Sequence, residues 1–163
     1  MQFDALYDAL HRPVYAYFST CFGPHAAEDL TQLTFLRVWR HLQANPVFTP
    51  DNARAWVFRI AVNCKNDWLR RKQREGTPLA LPEQQPSGDP SPDQLDEAAA
   101  VSAALGRLSD ADRDLLLLKN LGLTSEELGR LLHLSASAVR SRTAAAKKRF
   151  VQTLRECGVE LDA

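Results

Sequence analysis

Five of the nine prolines fall between Gly76 and Pro92, in company with Gly, Ser, Gln and Asp. Proline lacks a backbone donor and fixes φ, and a stretch this polar buries too little to offset the entropy of ordering it. The segment therefore predicts a flexible or extended linker, and it cuts the 163 residues into two short pieces. Outside it the apolar residues recur at helical spacing. The reading is an all-α chain of two small helical domains: 1–75, a linker over 76–94, a second domain over 95–157 and a short tail over 158–163.

In the first piece, Phe3 to Cys21 carries the stripe Phe3, Leu6, Tyr7, Leu10, Val14, Tyr17 and Phe18, interrupted by Pro13, which predicts a kink or a break. Gly23-Pro24 marks a turn. Glu28 to Leu42 has no Gly or Pro and reads as a helix. Phe35, Leu36, Val38, Trp39 and Leu42 share one arc of its wheel, which is predicted to be core. The opposite arc mixes Asp29, Leu30, Leu33, Thr34, Arg37 and Arg40. Such a helix is either buried on most sides or shared between its own core and a partner protein. After a loop marked by Asn45-Pro46 and Thr49-Pro50, Asp51 or Asn52 caps a helix over about 53–73. Val57, Ile60, Ala61, Cys64 and Trp68 are its predicted core side, and Arg59, Asn63, Asn66, Arg70 and Arg74 form one exposed stripe.

Every helix of the second piece is short. Leu95 to Leu108 is Ala-rich and amphipathic, and Ser109 is placed to cap a helix over Asp110 to Asn120. After Leu121-Gly122-Leu123, the run Thr124-Ser-Glu-Glu127 fits a capping box. A two-turn helix, a tight connection at His133-Leu134 and a last helix capped by Ser135 or Ser137 complete the pattern. Val139, Thr143, Ala146, Phe150 and Leu154 point inward in that helix, while Ser137, Arg140, Ser141, Ala144, Lys147 and Lys148 face out. A short helix, a short turn and a second helix with a polar, basic outer face form a helix-turn-helix, whose second helix suits a DNA major groove. A generic αα-hairpin with a soluble face shares part of this pattern.

Formal net charge is zero, so the chain as a whole is no polycation and nucleic-acid binding must rest on local asymmetry. Arg59 to Arg74 holds Arg59, Lys65, Arg70, Arg71, Lys72 and Arg74 against Asp67, and Arg140 to Arg155 holds Arg140, Arg142, Lys147, Lys148, Arg149 and Arg155 with no acid. Glu75 to Asp114, between them, is mostly acidic. Asparagines interleaved with arginines can donate to and accept from base edges, so the 59–74 stripe suits nucleic acid as well as water.

Catalysis finds no foothold. There is no Gly-rich phosphate loop, no Ser/His/Asp constellation and no paired metal ligands, and His11, His25, His41 and His133 read as surface or cap residues. Cys21 and His25 would be half of a metal site without a second half. The expectation is a non-enzyme with no cofactor, metal or small-molecule substrate. Three scattered cysteines suit a reducing compartment, and neither a leader at Met1 nor an apolar run of membrane-spanning length is visible, so the expected location is cytoplasmic.

Three passages carry a family resemblance. Ala27-Glu-Asp-Leu-Thr-Gln-Leu-Thr-Phe-Leu-Arg-Val-Trp-Arg40, Ala55 to Arg71, and Leu105-Gly-Arg-Leu-Ser followed by the helix-turn-helix ending Ala138-Val-Arg-Ser-Arg142 resemble regions 2.2, 2.3–2.4 and 4 of a bacterial sigma factor. The group they resemble is the compact extracytoplasmic-function (ECF) group of the sigma-70 family. The resemblance implies an initiation factor that binds core RNA polymerase, at the β′ clamp helices and the β flap, and directs it to promoter DNA. It implies polymerase docking by Asp29, Gln32 and Leu33, with Leu33 standing where the family usually has Glu. Around the −10 element it implies base capture by Asn63 and the 44–52 loop, Asn66 on the same face, and phosphate contacts by Arg59, Arg70 and Arg71. At the −35 element it implies reading by Arg140 and Ser141, with Ser137, Lys147, Lys148 and the amides near Ser135 on the backbone. Ala144 and Ala145 replace larger or basic side chains, and Thr143 replaces a usual Leu, which implies a weaker or altered −35 contact and an underfilled core. An anti-sigma factor is a further implied partner. The competing readings are a helix-turn-helix DNA-binding regulator that acts without polymerase, and a sigma-like interaction protein held by an anti-sigma factor.

Overall fold

The structure, a computed structural model, describes residues 3–76 and 92–159, without the side chains of 92–96. Among the described residues there are seven α-helices and no strand. The chain divides into two compact units, Met1–Pro82 and Glu83–Ala163. Most of the expected linker, residues 77–91, lies outside the described residues, as do 160–163 of the expected tail.

The first unit is built from α1 (Phe3–Phe22), α2 (Pro24–Ala44) and α3 (Ala53–Arg74). Helix α1 runs unbroken through Pro13, where the sequence predicts a kink or a break. A mid-helix proline costs about 3 kcal/mol, and burial of Leu10 and Val14 on either side offsets it. Gly23, with φ 87°, turns the chain and Pro24 opens α2, because a left-handed residue followed by a fixed φ suits that junction. Asn52 caps α3, its Oδ1 accepting from the Ala55 amide at 3.1 Å. The core joins Leu6, Leu10, Val14, Tyr17 and Phe18 of α1 to Ala27, Leu30 and Val38 of α2 and Val57, Phe58, Ala61 and Val62 of α3.

Helix α2 is turned from its expected setting. Its buried arc is Ala27, Leu30, Thr34, Phe35, Val38 and Leu42, whereas Leu36 and Trp39, expected inside, are 41% and 45% exposed. Thr34 tolerates complete burial because its hydroxyl donates to the Leu30 carbonyl at 2.7 Å, which leaves no polar group unsatisfied. Helix α3 shows a smaller departure. Phe58, Val62 and Lys65 join its buried face, while Ile60 and Trp68 are half-buried. The Lys65 ammonium lies 5.6 Å from the centroid of the Tyr17 ring, so this cation leaves the exposed basic block.

The second unit is built from α4 (Pro92–Gly106), α5 (Asp110–Asn120), α6 (Ser125–Leu132) and α7 (Ala136–Glu156), with α7 packed on the other three. Each cap follows from local sequence. Ser109 accepts from the Asp112 amide at 3.2 Å, and Ser135 accepts from the Ala138 amide at 3.0 Å. Thr124 and Glu127 close a reciprocal capping box at 3.1 and 2.9 Å. The turn between α6 and α7 depends on Gly129. Leu134 N–H donates to its carbonyl at 2.8 Å, and a Cβ there would lie 2.5 Å from the Leu134 carbonyl oxygen. His133 takes the left-handed conformation, φ 58°, that ends α6. The inward stripe of α7 buries Val139, Ala146, Thr153 and Leu154. Thr143 belongs to that stripe, and its Oγ1 is buried without a hydrogen-bond partner.

Candidate nucleic-acid and partner-binding surfaces

Three surfaces carry the residues singled out from sequence. On α3, Arg59, Asn63, Asn66, Arg70 and Arg71 are all exposed. Arg59, Asn63 and Asn66 face solvent. Arg70 does not stand free: its Nη2 donates to Asp67 Oδ1, and Arg37 Nη1, from α2, donates to Asp67 Oδ2 at 3.1 Å. The hydrogen bond from Arg70, helped by Arg37, holds the Asp67 carboxyl below the ordinary aspartate range. Arg71 and Lys72 lie 4.0 and 3.8 Å from Glu75. The stripe is thus a cationic face braced by its few acids, with Asn63 and Asn66 between the guanidiniums.

The loop from Asn45 to Asn52 is pinned beside that stripe by three rings. Phe48 meets His41 at 4.6 Å and Trp56 at 5.1 Å between centroids, and His41 meets Trp56 at 5.2 Å. The Phe48 amide donates to the Asn45 carbonyl at 3.0 Å, which sets the turn. Contrary to the expectation of a surface or cap residue, His41 is wedged in this cluster with its Nε2 buried and unpaired. At the tip Val47 is 95% exposed.

The outward face of α2 is the second surface. Asp29, Gln32, Leu33, Leu36 and Trp39 recur at helical spacing on one side, opposite the buried arc. Asp29 and Gln32 are exposed, Leu33 is half-buried, and Leu36 and Trp39 stand nearly half in water. Leu36 and Trp39 are the members that wheel reasoning missed. Their spacing from Asp29 and Gln32 was the available signal, overridden by their size and apolarity.

The third surface is α7. Ser137, Arg140, Ser141, Lys147 and Lys148 are exposed along it, and so are Ala144 and Ala145. Arg140 Nη1 lies 3.8 Å from Glu126 of α6. Two other cations of this basic block are engaged by their own unit. Arg142 Nη2 and Arg149 Nη1 reach the two oxygens of Asp112, at 3.2 and 3.5 Å. Asp112 is buried in the first turn of α5. These arginines tie α7 to α5 while keeping part of their side chains in water, and Arg140, Lys147, Lys148 and Arg155 are the exposed cations outside that tie.

Residues 6–75 match the family described as Sigma-70 region 2, and residues 98–150 match Sigma-70, region 4. The chain is also 31% identical over 137 residues to the RNA polymerase sigma factor CnrH of Cupriavidus metallidurans, a match covering 76% of this chain and 70% of CnrH. The chain belongs to the ECF group of the sigma-70 family. It is 38% identical over 126 residues to the ECF RNA polymerase sigma factor SigE of Mycolicibacterium smegmatis, a match that takes in 72% of this chain and spans about half (48%) of SigE. The fold is shared with the sigma factor RpoE of Bartonella quintana, solved in complex with the anti-sigma factor NepR. That likeness has a TM-score of 0.77 at 22% identity and covers 94% of this chain and 96% of the other. The first unit, with the α2 and α3 surfaces, carries the region 2 match, and the helix-turn-helix of the second carries the region 4 match. No helix among the described residues is long and apolar enough to cross a membrane.

Proposed function

We propose that this chain is a promoter-specificity subunit of bacterial RNA polymerase, acting in the cytoplasm with no catalytic step of its own. In this reading residues 1–75 are the polymerase-docking and −10 domain, 76–94 the linker, whose last three residues already open α4, 95–157 the −35 domain and 158–163 a tail. The observation that carries it is the occurrence, in order on one chain, of a region 2 match and a region 4 match, each ending in an exposed polar and basic helix face. The α2 face of Asp29, Gln32, Leu33, Leu36 and Trp39 docks on the β′ clamp helices. Leu33, Leu36 and Trp39 give that contact an apolar centre, with Asp29 and Gln32 on its rim. The α3 stripe holds the −10 strand, with Arg59, Arg70 and Arg71 on phosphates and Asn63 and Asn66 toward bases. In the major groove, Arg140 and Ser141 read the −35 element, with Ser137, Lys147 and Lys148 on its backbone. The second domain also meets the β flap.

Each DNA-facing surface offers only a few cations. Non-specific affinity of such modules is about 10⁻⁴ to 10⁻⁶ M at physiological salt, so neither domain holds a promoter alone. Tethering both through polymerase makes the second contact intramolecular. Bases that leave the stack on opening are trapped, at an unstacking cost of a few kcal/mol that polymerase contacts help to offset. An anti-sigma factor that covers the α2 face would silence the chain; CnrH, a relative, has been solved in complex with the cytosolic domain of CnrY.

The test is run-off transcription with core polymerase lacking sigma, with and without this chain, on genomic fragments. Discrete new start sites sharing upstream elements are expected. Specific duplex binding by the chain without any binding to core polymerase would replace this reading with the polymerase-independent regulator.

A further inference from the structure

Asp67 is the lone acid within the α3 basic stretch, yet both of its oxygens are taken, one by Arg70 and the other by Arg37 of the neighbouring helix. The arrangement brackets one carboxylate between two guanidiniums and leaves a local excess of one positive charge. None of the three is deeply buried: the side chains of Arg37, Asp67 and Arg70 are 37%, 47% and 64% exposed. Ion pairs this exposed add little to stability. Their effect is on position. A guanidinium has five donors in a rigid fork, and one bond to Asp67 leaves the rest of the Arg37 fork unused by Asp67. The position of Arg37 is also specific. It lies one turn after Leu33, at the border of the Asp29–Trp39 face, and its bond to Asp67 of α3 adds its charge to the α3 stripe beside Arg70.

We infer that Arg37 is a further phosphate-backbone contact for the DNA strand carried by α3, held there with Arg70 by Asp67 acting as a positioning residue. The inference rests on the proposed DNA-binding role of α3. The stripe then runs across two helices, and Asp67 sets the separation of two of its cations in place of contributing repulsion. The strand's phosphates meet a pre-oriented pair, which limits the side-chain entropy lost on binding.

The probe is a fluorescein-labelled duplex of mixed sequence with a central unpaired bubble, titrated with the full chain at several salt concentrations. Each phosphate contact contributes about 0.7 to 0.9 to the slope of log affinity against log salt. Arg37→Ala and Arg37→Gln should each weaken binding and reduce that slope by about this amount, so their deficit relative to wild type shrinks about threefold between about 50 and about 200 mM salt. Arg37→Lys should retain the slope. In an Asp67→Ala background, Arg37→Ala should have a smaller effect than in wild type. Arg59→Ala is the reference. If it lowers the slope while Arg37→Ala and Arg37→Gln leave it at the wild-type value, Arg37 is only a tie between helices and the inference is overturned. If neither Arg59→Ala nor any Arg37 variant alters the slope, the DNA-binding reading of α3 falls with it. Tryptophan fluorescence melts of the same variants separate a lost contact from lost folding, because Trp39, Trp56 and Trp68 all lie in this unit.

Discussion

Replacing Thr143 by Val should stabilise the second unit. Thr143 lies on the inward stripe of α7 between Val139 and Ala146, both buried, and its Oγ1 is shut from solvent without a hydrogen-bond partner. An unsatisfied buried polar group costs about 1 to 3 kcal/mol. Val has nearly the shape of Thr and a similar helix propensity, so the exchange removes that penalty and adds a methyl group to the core. Thr143 is only partly buried as a residue, which favours the lower end, about 1 kcal/mol. For a unit of this size that corresponds to about 4 to 8 °C in Tm. All tryptophans and tyrosines lie in the first unit, so aromatic fluorescence follows that unit alone while far-UV circular dichroism follows both. The circular-dichroism transition missing from the fluorescence trace should move up in the variant, and the fluorescence transition should stay in place. Thr143→Ser, which keeps the hydroxyl and loses the methyl, should be the least stable of the three. If Thr143→Val melts at or below wild type, the hydroxyl is satisfied in solution and the reasoning is wrong.

Four other outcomes follow from the same geometry. Leu36→Ser and Trp39→Ala should change thermal stability little and each weaken core-polymerase binding about fivefold, measured by co-elution or fluorescence anisotropy, because their side chains are exposed and central to the proposed docking face. Asp112→Ala removes a buried acceptor shared by Arg142 and Arg149; since both arginines keep access to water, the loss should be about 1 to 2 kcal/mol, read as a lowered circular-dichroism midpoint in urea. Burial pushes the Cys64 thiol pKa up, and Cys21 is buried whereas Cys157 is exposed. A thiol reagent should therefore titrate one cysteine quickly in the native chain and the other two only on unfolding. The lowered Asp67 pKa stabilises the fold above the ordinary aspartate value, about 3.9, and that contribution is lost as pH falls through the folded value. The difference in Tm between wild type and Asp67→Asn should hold from neutral pH to about 5 and shrink below about 4.

Legibility from sequence tracked how local the determining interaction is. Ser109 and the Thr124–Glu127 box were readable outright, and Asn52 and Ser135 as one of two neighbouring choices each (with Asp51 and Ser137), because a cap satisfies amides within three residues of itself. The exposed side of α7 was readable for the same reason of period: Ser137, Arg140, Ser141, Lys147 and Lys148 fall on one face whatever packs opposite. What stayed hidden depends on partners distant in sequence. Asp67 and Arg37 are separated by 30 positions, as are Asp112 and Arg142. Counting Arg142 and Arg149 in a basic block was correct as charge, but it could not show that both spend hydrogen bonds on Asp112. Lys65 likewise counts as a cation in the sequence but packs over Tyr17 in the fold.

The setting of α2 shows why bulk alone misplaces a helix. A three-helix unit can cover only one arc of each member, and α2 carries two apolar arcs. One consists of Ala27, Leu30, Thr34, Phe35, Val38 and Leu42, which offers buried side chains along the whole helix. The other is led by Leu36 and Trp39 and shares its face with Asp29 and Gln32, whose polar groups would have to be buried with it. Close packing favours the first arc, provided the Thr34 hydroxyl is satisfied within its own helix, as it is by Leu30. The second arc is then left in water beside Asp29 and Gln32. Full burial of a large apolar side chain is worth about 1.5 to 3 kcal/mol, and Leu36 and Trp39 are already about half covered, so a docking partner recovers roughly 1 kcal/mol from each. That gain is absent from the folding of the free chain and appears only on docking. Polar substitutions at these two positions should therefore separate folding from partner binding, whereas substitutions at Leu30 or Val38 should damage both.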